Sequence, residues 1–472
     1  PSLRIREVRA YRRTTDVPAG VLGRMRLLAS LVATVSLVVA GTVAVPSSAA
    51  SASTFSGAFD STSSDSTSFA SAAIDDLQAF WADALPEVYD RGYESIPDDR
   101  LYPYSSDDPP PACGDRGTTP YEEVAGNAFY CSVGDFVAWD TQELFPRLEQ
   151  RYGRFAVALV LAHEWGHAIQ ARTDSSISAT IYLENQADCF AGAWAHHVEA
   201  GDDTSLSFGA SDLDSALSGY LEFRDPPGVD PSHEGAHGNA FDRVSAFQDG
   251  FEAGVGQCAT YEHDPPEVTE SPYTTYEDQA SGGDMSLDEA VDLVKTDLDD
   301  YWATQLAGSP AVSDVEVVAD ADAGCEGTSD GGVLVDGVTY CTTGDTVVYD
   351  PDVLSRVYDS TGDFGAGMLL ATAWSSAAQH DLGLSIHGAA ARLRADCLTG
   401  AWAGDVARGV RSGSGSASDS QLSLSPGDLD QGIATFVSLG GNDDDRGSAF
   451  TRVDAFRTGF FDGVDACTTR TA

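Results

Sequence analysis

Apolar residues along this chain fall into helix-length segments, and one of these segments opens with a wholly apolar run. The segment 154–172 contains seven consecutive apolar residues at 156–162, which predicts a buried helix. Further helices are predicted at 72–85, 182–197, 239–254 and 287–306, and a hairpin with Gly134 at its turn at 129–140. The pattern predicts an α+β fold with helix in excess.

The part of the chain after residue 72 contains the same blocks twice, in the same order. ADCFAGAWA at 187–195 recurs as ADCLTGAWA at 395–403, and GNAFDRVSAF at 238–247 recurs as GSAFTRVDAF at 447–456. Two more blocks, at 76–85 and 129–140, recur at 297–306 and 339–350. We interpret this as a tandem duplication of one domain. The predicted organisation is a basic leader and signal peptide at 1–52, a Ser/Ala-rich spacer at 53–72, a first domain at 73–261, a linker at 262–285 and a second domain at 286–472.

The N-terminal segment has the layout of a secretory signal. Met25 and Arg26 precede nineteen uncharged, mostly apolar residues at 27–45, and small residues follow. This order predicts a cleaved signal peptide and export from the cell. The alternative is an uncleaved N-terminal anchor in the cell membrane, because the run is long enough to span a bilayer.

The charge balance excludes one class of partner. The chain has 26 Lys and Arg against 74 Asp and Glu, a formal net charge of −48. So acidic a surface repels phosphate backbones, which excludes nucleic-acid binding as the main activity.

The cysteines follow the repeat, with four in each unit at matching positions. They are Cys113, Cys131, Cys189, Cys258, Cys325, Cys341, Cys397 and Cys467. An even, position-matched set in an exported chain predicts disulfides rather than metal ligation by Cys189. Four cysteines allow three pairings, of which we favour Cys113 with Cys131 and Cys189 with Cys258.

The predicted buried helix carries the pattern H-E-x-x-H. On a helix, His163 and His167 lie on one face, with Glu164 displaced by about 100°. Two imidazoles for a metal and a carboxylate for its water are what a zinc hydrolase requires. A second match, His233, Glu234 and His237, lies among Pro and Gly residues. It is therefore expected in a loop and is not predicted to be a metal site.

A catalytic zinc usually has three protein ligands, and Glu184 is the candidate for the third. If 182–197 is helical, Glu184 shares a face with Asp188, which could then accept a hydrogen bond from a ligating imidazole. The alternative is that both are solvated acids on a surface helix. The prediction is one Zn²⁺ per chain.

Three motifs together resemble the putative neutral zinc metallopeptidase family. They are H-E-W-G-H-x-x-Q, then E-x-Q-A-D-C-x-A-G-x-W, then H-G-x-x-x-x-R-V with a later Cys, over about 73–260. The resemblance implies a metal site of the gluzincin type, with zinc on His163, His167 and Glu184. It also implies Glu164 as the general base and His237 near the cleft.

The second unit lacks the proposed ligands. The positions that match His163, Glu164, His167 and Glu184 are occupied, in that order, by Thr372, Ala373, Ser376 and Arg392. The position that matches His237 is occupied by Arg446. Trp165, Gln170 and Asp188 are matched by Trp374, Gln379 and Asp396. We interpret the second unit as a degenerate copy of a zincin-like domain without catalytic activity, and His380 and His387 in it as ordinary surface residues.

The sequence thus predicts an exported zinc-dependent metallopeptidase that cleaves peptide or protein substrates with water activated by Glu164. An extended peptide is expected to pair with the strand at 136–139. Two alternatives stay open: a zinc hydrolase of a non-peptide amide or ester, and a binding or regulatory protein that acts mainly through the degenerate domain.

Overall fold

The structure is a computed structural model, and it describes most of the chain after residue 62. The described ranges are 63–114, 117–201, 204–306, 316–319, 325, 332–335, 337–342, 345–409, 422–439 and 447–469. The predicted leader, signal peptide or anchor lies outside them, as does the start of the spacer. Within the described part of the chain, no helix combines the length and apolar character needed to cross a bilayer.

The first half consists of seven helices and three strands in the residues described. The helices are α1 (Ser63–Tyr89), α2 (Tyr121–Val124), α3 (Leu144–Tyr152), α4 (Arg154–Thr173), α5 (Thr180–Ala200), α6 (Ala210–Phe223) and α7 (Ala240–Thr260). The strands are β1 (Leu101–Tyr104), β2 (Ala128–Cys131) and β3 (Phe136–Asp140). Helix α7 is broken at Gly254, whose φ of 74° lies in the left-handed region.

The sheet of the first half has the order β1-β3-β2. The predicted hairpin is present, with β2 antiparallel to β3 and Ala128 opposite Trp139. Strand β1, which the sequence did not predict, runs parallel to β3 on its other side. All five residues of β3 are buried, as expected for a central strand covered on both faces.

Helix α1 begins earlier than the sequence predicts. Residues 63–72 were predicted to be spacer, but they form the first turns of a helix that continues to Tyr89. Ala70 and Ala73 are 3% and 0% exposed. Small residues at this spacing let α1 approach the core closely, and alanine has the highest helix propensity. The Ser/Ala composition therefore serves packing here.

Helices α5 and α7 pack against each other closely enough to require glycine. A Cβ on Gly192 would overlap the backbone carbonyl of Phe247, and one on Gly250 would overlap that of Cys189. The disulfide Cys189–Cys258 joins the same two helices. This pair therefore forms a rigid base for the residues that α5 carries.

The segment predicted as a linker is bound to the protein along its length. The backbone N–H groups of Thr269 and Glu270 donate to the Asp242 carboxylate at 2.9 to 3.1 Å. Helix α8 (Tyr276–Ser281) follows, and the Met285 N–H donates to Asp363 at 2.9 Å. These backbone hydrogen bonds to carboxylates hold the segment in place although it has no apolar periodicity.

The second half has the following elements in its described residues. The helices are α9 (Leu287–Gln305), α10 (Pro351–Thr361), α11 (Asp363–Asp381), α12 (Ala389–Arg408), α13 (Asp428–Leu439), α14 (Ala449–Asp462) and α15 (Val464–Thr469). The strands are β4 (Glu316–Ala319), β5 (Gly332–Val335), β6 (Val338–Cys341) and β7 (Thr346–Tyr349), in the sheet order β4-β7-β6-β5. The β4-β7-β6 part has the same parallel and antiparallel pairings as β1-β3-β2.

All eight cysteines are paired in disulfides. The first half contains Cys113–Cys131 and Cys189–Cys258, the pairs that the sequence favours, and the second contains Cys325–Cys341 and Cys397–Cys467. Pairing of this kind is typical of proteins in oxidising, extracellular compartments.

Asp60–Ala472 forms one compact unit, and both halves contribute to one hydrophobic cluster. Helices α6 and α7 of the first half pack against α13 and α14 of the second. The helix-rich α+β class predicted from the sequence is confirmed.

Candidate metal centre

Helix α4 places the two histidines of the H-E-x-x-H motif side by side. The helix is continuous from Arg154 to Thr173 and ends where Asp174 adopts a left-handed φ of 54°. The rings of His163 and His167 lie 4.8 Å apart between centroids. Gly166 between them is required because a Cβ there would lie 2.7 Å from the Cα of Ala187 on α5.

This close contact with α5 brings Glu184 to the two histidines. Its Oε2 lies 3.2 Å from His163 Nε2, and its Oε1 lies 3.5 Å from His167 Nε2. Ligand atoms of His163, His167 and Glu184 all lie within 4.8 Å of one another. The alternative of a solvated surface carboxylate is wrong, since Glu184 is only 8% exposed.

The spacing of these atoms fits a zinc ion. Tetrahedral zinc with bonds of about 2.0 to 2.1 Å holds its ligand atoms about 3.3 Å apart. The two Nε2 to carboxylate distances of 3.2 and 3.5 Å match that separation. Two imidazoles and one carboxylate also form a common donor set for zinc.

A buried ion pair fixes the orientation of His163. Its Nδ1 lies 2.7 Å from Asp188 Oδ1, so the ring donates there and presents Nε2 to the centre. Asp188 in turn accepts from Arg243 Nε at 2.7 Å and from its Nη2 at 3.0 Å. Asp188 is 0% exposed and Arg243 6%. Carboxylate partners of this kind hold ligating histidines in one tautomer and orientation.

Gln170 plays the corresponding part for His167. Its Oε1 lies 2.9 Å from His167 Nδ1, while its Nε2 donates to the Leu183 carbonyl at 2.7 Å. No role was predicted from the sequence for Gln170 or Arg243. A signal was present, since both residues recur in the second unit, as Gln379 and Arg452.

The electrostatics of the centre tie metal binding to proton release. Burial alone would lower the pKa of His163, but the Asp188 and Glu184 carboxylates raise it to about 10. Burial would raise the pKa of Glu184, but the two histidines hold it well below its usual range. A metal bound here displaces protons from the imidazoles, so its affinity must fall as pH falls.

Glu164 is held at the edge of the sheet. Its Oε2 accepts a hydrogen bond from the Tyr130 N–H of β2 at 2.8 Å, and the residue is 7% exposed. The bond from β2 fixes the carboxylate next to the two histidines, where a general base is needed.

A cavity of about 320 Å³ opens beside these residues. Its polar side is formed by His163, Glu164, Glu184, Asp188, His237 and Arg243, and its apolar side includes Leu144, Leu148, Leu159, Val160, Ala216 and Phe223. His237 therefore lies in the cleft, as its resemblance implies, and its backbone N–H donates to Asp225 at 2.6 Å. His233 and Glu234 are exposed in a turn and do not join the metal group, as expected for a loop.

The prediction that an extended peptide pairs with 136–139 is wrong. Those residues belong to β3, whose two sides are already paired with β1 and β2. Strand β2 is the edge strand on the metal side, and its Asn127–Phe129 neighbourhood lines the cavity. The sequence showed two strands, and only the third strand, β1, decides which of them is central.

The second half places other side chains at the equivalent positions. The hydroxyl groups of Thr372 and Ser376 on α11 donate to the Met368 and Thr372 carbonyls of the same helix. Arg392 lies on α12 and Ala373 is buried. Among the described residues of this half, no group of three metal-ligating side chains is brought together.

A helix-borne His-Glu-x-x-His with a glutamate from the next helix, beside a mixed sheet, is consistent with a zincin-like class of protein. The chain belongs to the family described as putative neutral zinc metallopeptidase, which matches residues 15–261. The resemblance predicted from the motifs is thereby confirmed for the first half.

The chain is also similar to uncharacterized bacterial proteins. It is 28% identical to the uncharacterized protein YpfJ of Escherichia coli (strain K12) over 159 residues, covering 28% of this chain and 53% of that protein. It is 26% identical to the uncharacterized protein Rv2575 of Mycobacterium tuberculosis (strain ATCC 25618 / H37Rv) over 151 residues, covering 27% and 52%. The chain spans about half the length of the curated relatives it matches. No solved structure matches it.

Proposed function

We propose that this protein is an exported zinc-dependent metallopeptidase with one zinc site, held by His163, His167 and Glu184. The observation that carries the proposal is the convergence of these three ligand atoms within 4.8 Å, with Asp188 and Gln170 already bonded to the outer nitrogens of the two imidazoles. Sites prepared in this way favour metal binding, because the ligands need no reorientation.

A zinc ion in this position would polarise a substrate carbonyl and make a water molecule acidic enough to lose a proton near pH 7. Glu164 accepts that proton, because its carboxylate lines the cavity and is held in place by the Tyr130 N–H. The water oxygen would then bond to the carbonyl carbon, the carbon–nitrogen bond would break, and Glu164 would give the proton to the leaving amine nitrogen. His237, on the same cavity wall, is placed to contact the substrate.

The open edge of β2 is the candidate binding surface for the peptide backbone. Tyr130 N–H points away from β3, toward Glu164, and side alternation along a strand gives Ala128 the same orientation. A substrate in extended form can therefore pair with Ala128 beside the catalytic glutamate. The apolar side of the cavity, with Leu144, Val160 and Phe223, favours an apolar substrate side chain next to the cleaved bond.

We further propose that the two halves arose by tandem duplication and that the second half is catalytically inactive. The scaffold contacts of one half recur in the other. Trp194 Nε1 donates to Asp76 as Trp402 Nε1 donates to Asp297, both at 2.7 Å. The four candidate ligand and base residues have all been replaced, and the hydroxyl groups of Thr372 and Ser376, which stand opposite the two histidines, are bonded within their own helix.

Export is supported by the disulfides, which suit an extracellular compartment, and by the signal-like segment at 27–45.

The test is metal analysis of the purified protein together with hydrolysis of a peptide panel and of amide and ester substrates. We expect close to one zinc per chain and chelator-sensitive cleavage of peptides. Two zinc ions per chain would contradict the inactive second half. Hydrolysis of amides or esters without peptide cleavage would favour the non-peptide hydrolase, and zinc without any turnover would favour a binding or regulatory protein.

A further inference from the structure

The two halves meet through the same elements on each side. Helices α6 and α7 of the first half contact α13 and α14 of the second. The sequence DLD at 212–214 on α6 recurs at 428–430 on α13. In the repeat, Phe241 at the start of α7 corresponds to Phe450 at the start of α14.

Hydrogen bonds across this boundary are reciprocal. The Phe450 N–H donates to Asp214 Oδ1 at 2.9 Å, and the Phe241 N–H donates to Asp430 Oδ1 at 3.2 Å. Each half therefore uses the last aspartate of its DLD sequence to bind the first turn of a helix in the other half. A carboxylate at a helix N-terminus satisfies an amide that has no partner within its helix.

The aromatic contacts follow the same rule. Phe241 contacts Phe460 with ring centroids 4.9 Å apart, and Phe450 contacts Phe251 at 5.0 Å. Phe251 and Phe460 occupy matching positions in the repeat. In a symmetric homodimer, every contact recurs with the roles of the two copies exchanged, and such an interface is called isologous. These contacts between the two halves follow this pattern.

Some contacts across the boundary are not reciprocal, and one of them lies on the side of the cleft. Asp430, whose side chain is 4% exposed, also pairs with Arg224 Nε at 2.9 Å. Arg224 directly follows α6, whose residues Tyr220 and Phe223 line the cavity. The next residue, Asp225, accepts the backbone N–H of His237.

A single aspartate of the second half thus binds the end of α6 and the start of α7. Helix α7 carries Arg243 two residues after Phe241, and Arg243 holds Asp188 against His163. The wall of the cleft and one support of the metal centre are therefore anchored on the second half.

We propose that the second half acts as a built-in second subunit: it occupies, on the first half, the surface through which two copies of this unit would pair symmetrically, and its Asp430 is a positioning residue for the cleft. This rests on the duplication and the zinc site proposed above. It gives the second half a reason to keep its scaffold without the ligands.

The first test separates the halves after folding. A site for a specific protease is inserted in the full chain at α8, where residues 279–282 are exposed. Every disulfide joins cysteines on the same side of this point, so the cut leaves no covalent link. We expect the two fragments to elute together in size-exclusion chromatography and to keep the bound zinc. Fragments that separate, with the first one retaining zinc and activity, would overturn the proposal.

The second test compares the two reciprocal aspartates in the cut protein. Asp430→Ala and Asp214→Ala each remove one charged acceptor across the interface, and each should weaken association of the fragments by roughly tenfold or more. Asp214→Ala is the matched control, because Asp214 binds the helix that lies in the second half.

Only Asp430→Ala should affect the cleft. We expect faster amide hydrogen exchange at 219–225 and 239–243 and a several-fold higher KM with little change in kcat. Asp430→Asn keeps an acceptor for the Phe241 N–H and should restore part of the loss; it also carries the comparison if Asp430→Ala does not fold. Equal KM and exchange effects of the Asp430 and Asp214 variants would overturn the positioning role.

The exchange and association measurements do not depend on turnover. If the unmodified protein cleaves no peptide and yet Asp430→Ala loosens 219–225 selectively, the proposed activity fails and the proposed role of the second half stands. If the unmodified protein cleaves peptides normally and Asp430→Ala leaves the hydrogen exchange unchanged, the proposed activity stands and the proposed role of the second half fails.

Discussion

Helix α4 carries the candidate metal-binding histidines, and α11 is its counterpart in the second half. The two helices have similar polar neighbours, but they carry different side chains at the candidate ligand positions. Asp188 binds Arg243 at 2.7 Å, and Asp396 binds Arg452 at 2.9 Å. Gln170 donates to the Leu183 carbonyl at 2.7 Å, and Gln379 to the Ala391 carbonyl at 3.1 Å. In the first half the Asp and the Gln also bind the histidines. These polar contacts therefore belong to the scaffold, and in the first half they would also support the proposed metal site.

In the second half, hydroxyl side chains lie at and near the position that matches His163. Thr399 on α12 donates to the Thr372 hydroxyl at 3.3 Å and lies 3.2 Å from the Ser375 hydroxyl. Thr372, Ser375 and Thr399 are all buried. These hydroxyl groups bond to one another and to the helix backbone, so the part of the second half where Thr372 stands opposite His163 has its polar groups paired.

The largest effect is expected from exchanging the ligand positions between the halves. The triple variant carries the residues of the second half at the three ligand positions: His163→Thr, His167→Ser and Glu184→Arg. It should lose zinc binding and activity, because all three ligands are removed. The opposite graft should raise the zinc content toward two per chain. It combines Thr372→His, Ala373→Glu, Ser376→His and Arg392→Glu. Metal analysis checks both. Zinc retained by the first variant would place the site elsewhere.

Glu164→Gln removes the proposed base and leaves the ligands in place. We expect turnover to fall by about 10²- to 10⁴-fold, the usual contribution of general acid–base catalysis, with zinc content unchanged. A glutamine side chain still accepts from the Tyr130 N–H, so the fold should be retained. Measurement of kcat together with bound zinc separates this result from metal loss. Normal turnover in this variant would rule out Glu164 as the base.

Asp188→Asn and Asp396→Asn separate the two uses of the aspartate. Both leave a buried arginine without its charged partner, so both should lower the free energy of unfolding by a few kcal/mol, about 3 or more if the local structure cannot relax. Only Asp188→Asn should also weaken zinc binding, by about 10- to 100-fold. Chelator competition and denaturant unfolding provide the two readouts. Equal zinc affinities in both variants would make Asp188 a purely structural residue.

A smaller effect concerns the pH dependence of stability at the boundary between the halves. Burial raises the pKa of Asp242 to about 7, and burial beside Asp225, Asp242 and Asp430 raises that of Glu270 to about 8. Arg224, which pairs with Asp430, is a cation at the same boundary. Both carboxyl groups have ordinary pKa values near 4 when unfolded. Between pH 4 and 8 these two groups therefore hold more protons in the folded protein than in the unfolded one, and their contribution to the free energy of unfolding falls as pH rises.

We accordingly expect greater stability at pH 5.5 than at pH 8 in metal-free protein. Glu270→Gln should reduce this dependence and stabilise the protein at pH 8 by about 1 kcal/mol or more, since one pKa unit corresponds to about 1.4 kcal/mol. Denaturant unfolding at several pH values measures both. The same slope in wild type and variant would remove Glu270 from the explanation.

Much of the candidate site could be read locally. The histidines and Glu164 share one helix, so a helical prediction for 154–172 fixes their relative geometry, and Glu184 with Asp188 follows in the same way from the next helix. Arg243 could not be placed, because it reaches Asp188 from 55 residues later in the chain. The distance between Arg243 on α7 and Asp188 on α5 depends on the close contact of these helices at Gly192 and Gly250.

The sequence by itself indicated the main helices, the hairpin, the recurring blocks and the side chains able to bind a metal, because each depends on residue type and short spacing. It favoured two cysteine pairs without excluding the other pairings. Tertiary structure alone decided that β1 makes β3 central and leaves β2 as the open edge. It also decided that Asp430 joins the second half to the cleft wall. Both depend on contacts between segments far apart in the chain, whose geometry follows from how whole helices and strands pack rather than from any local pattern.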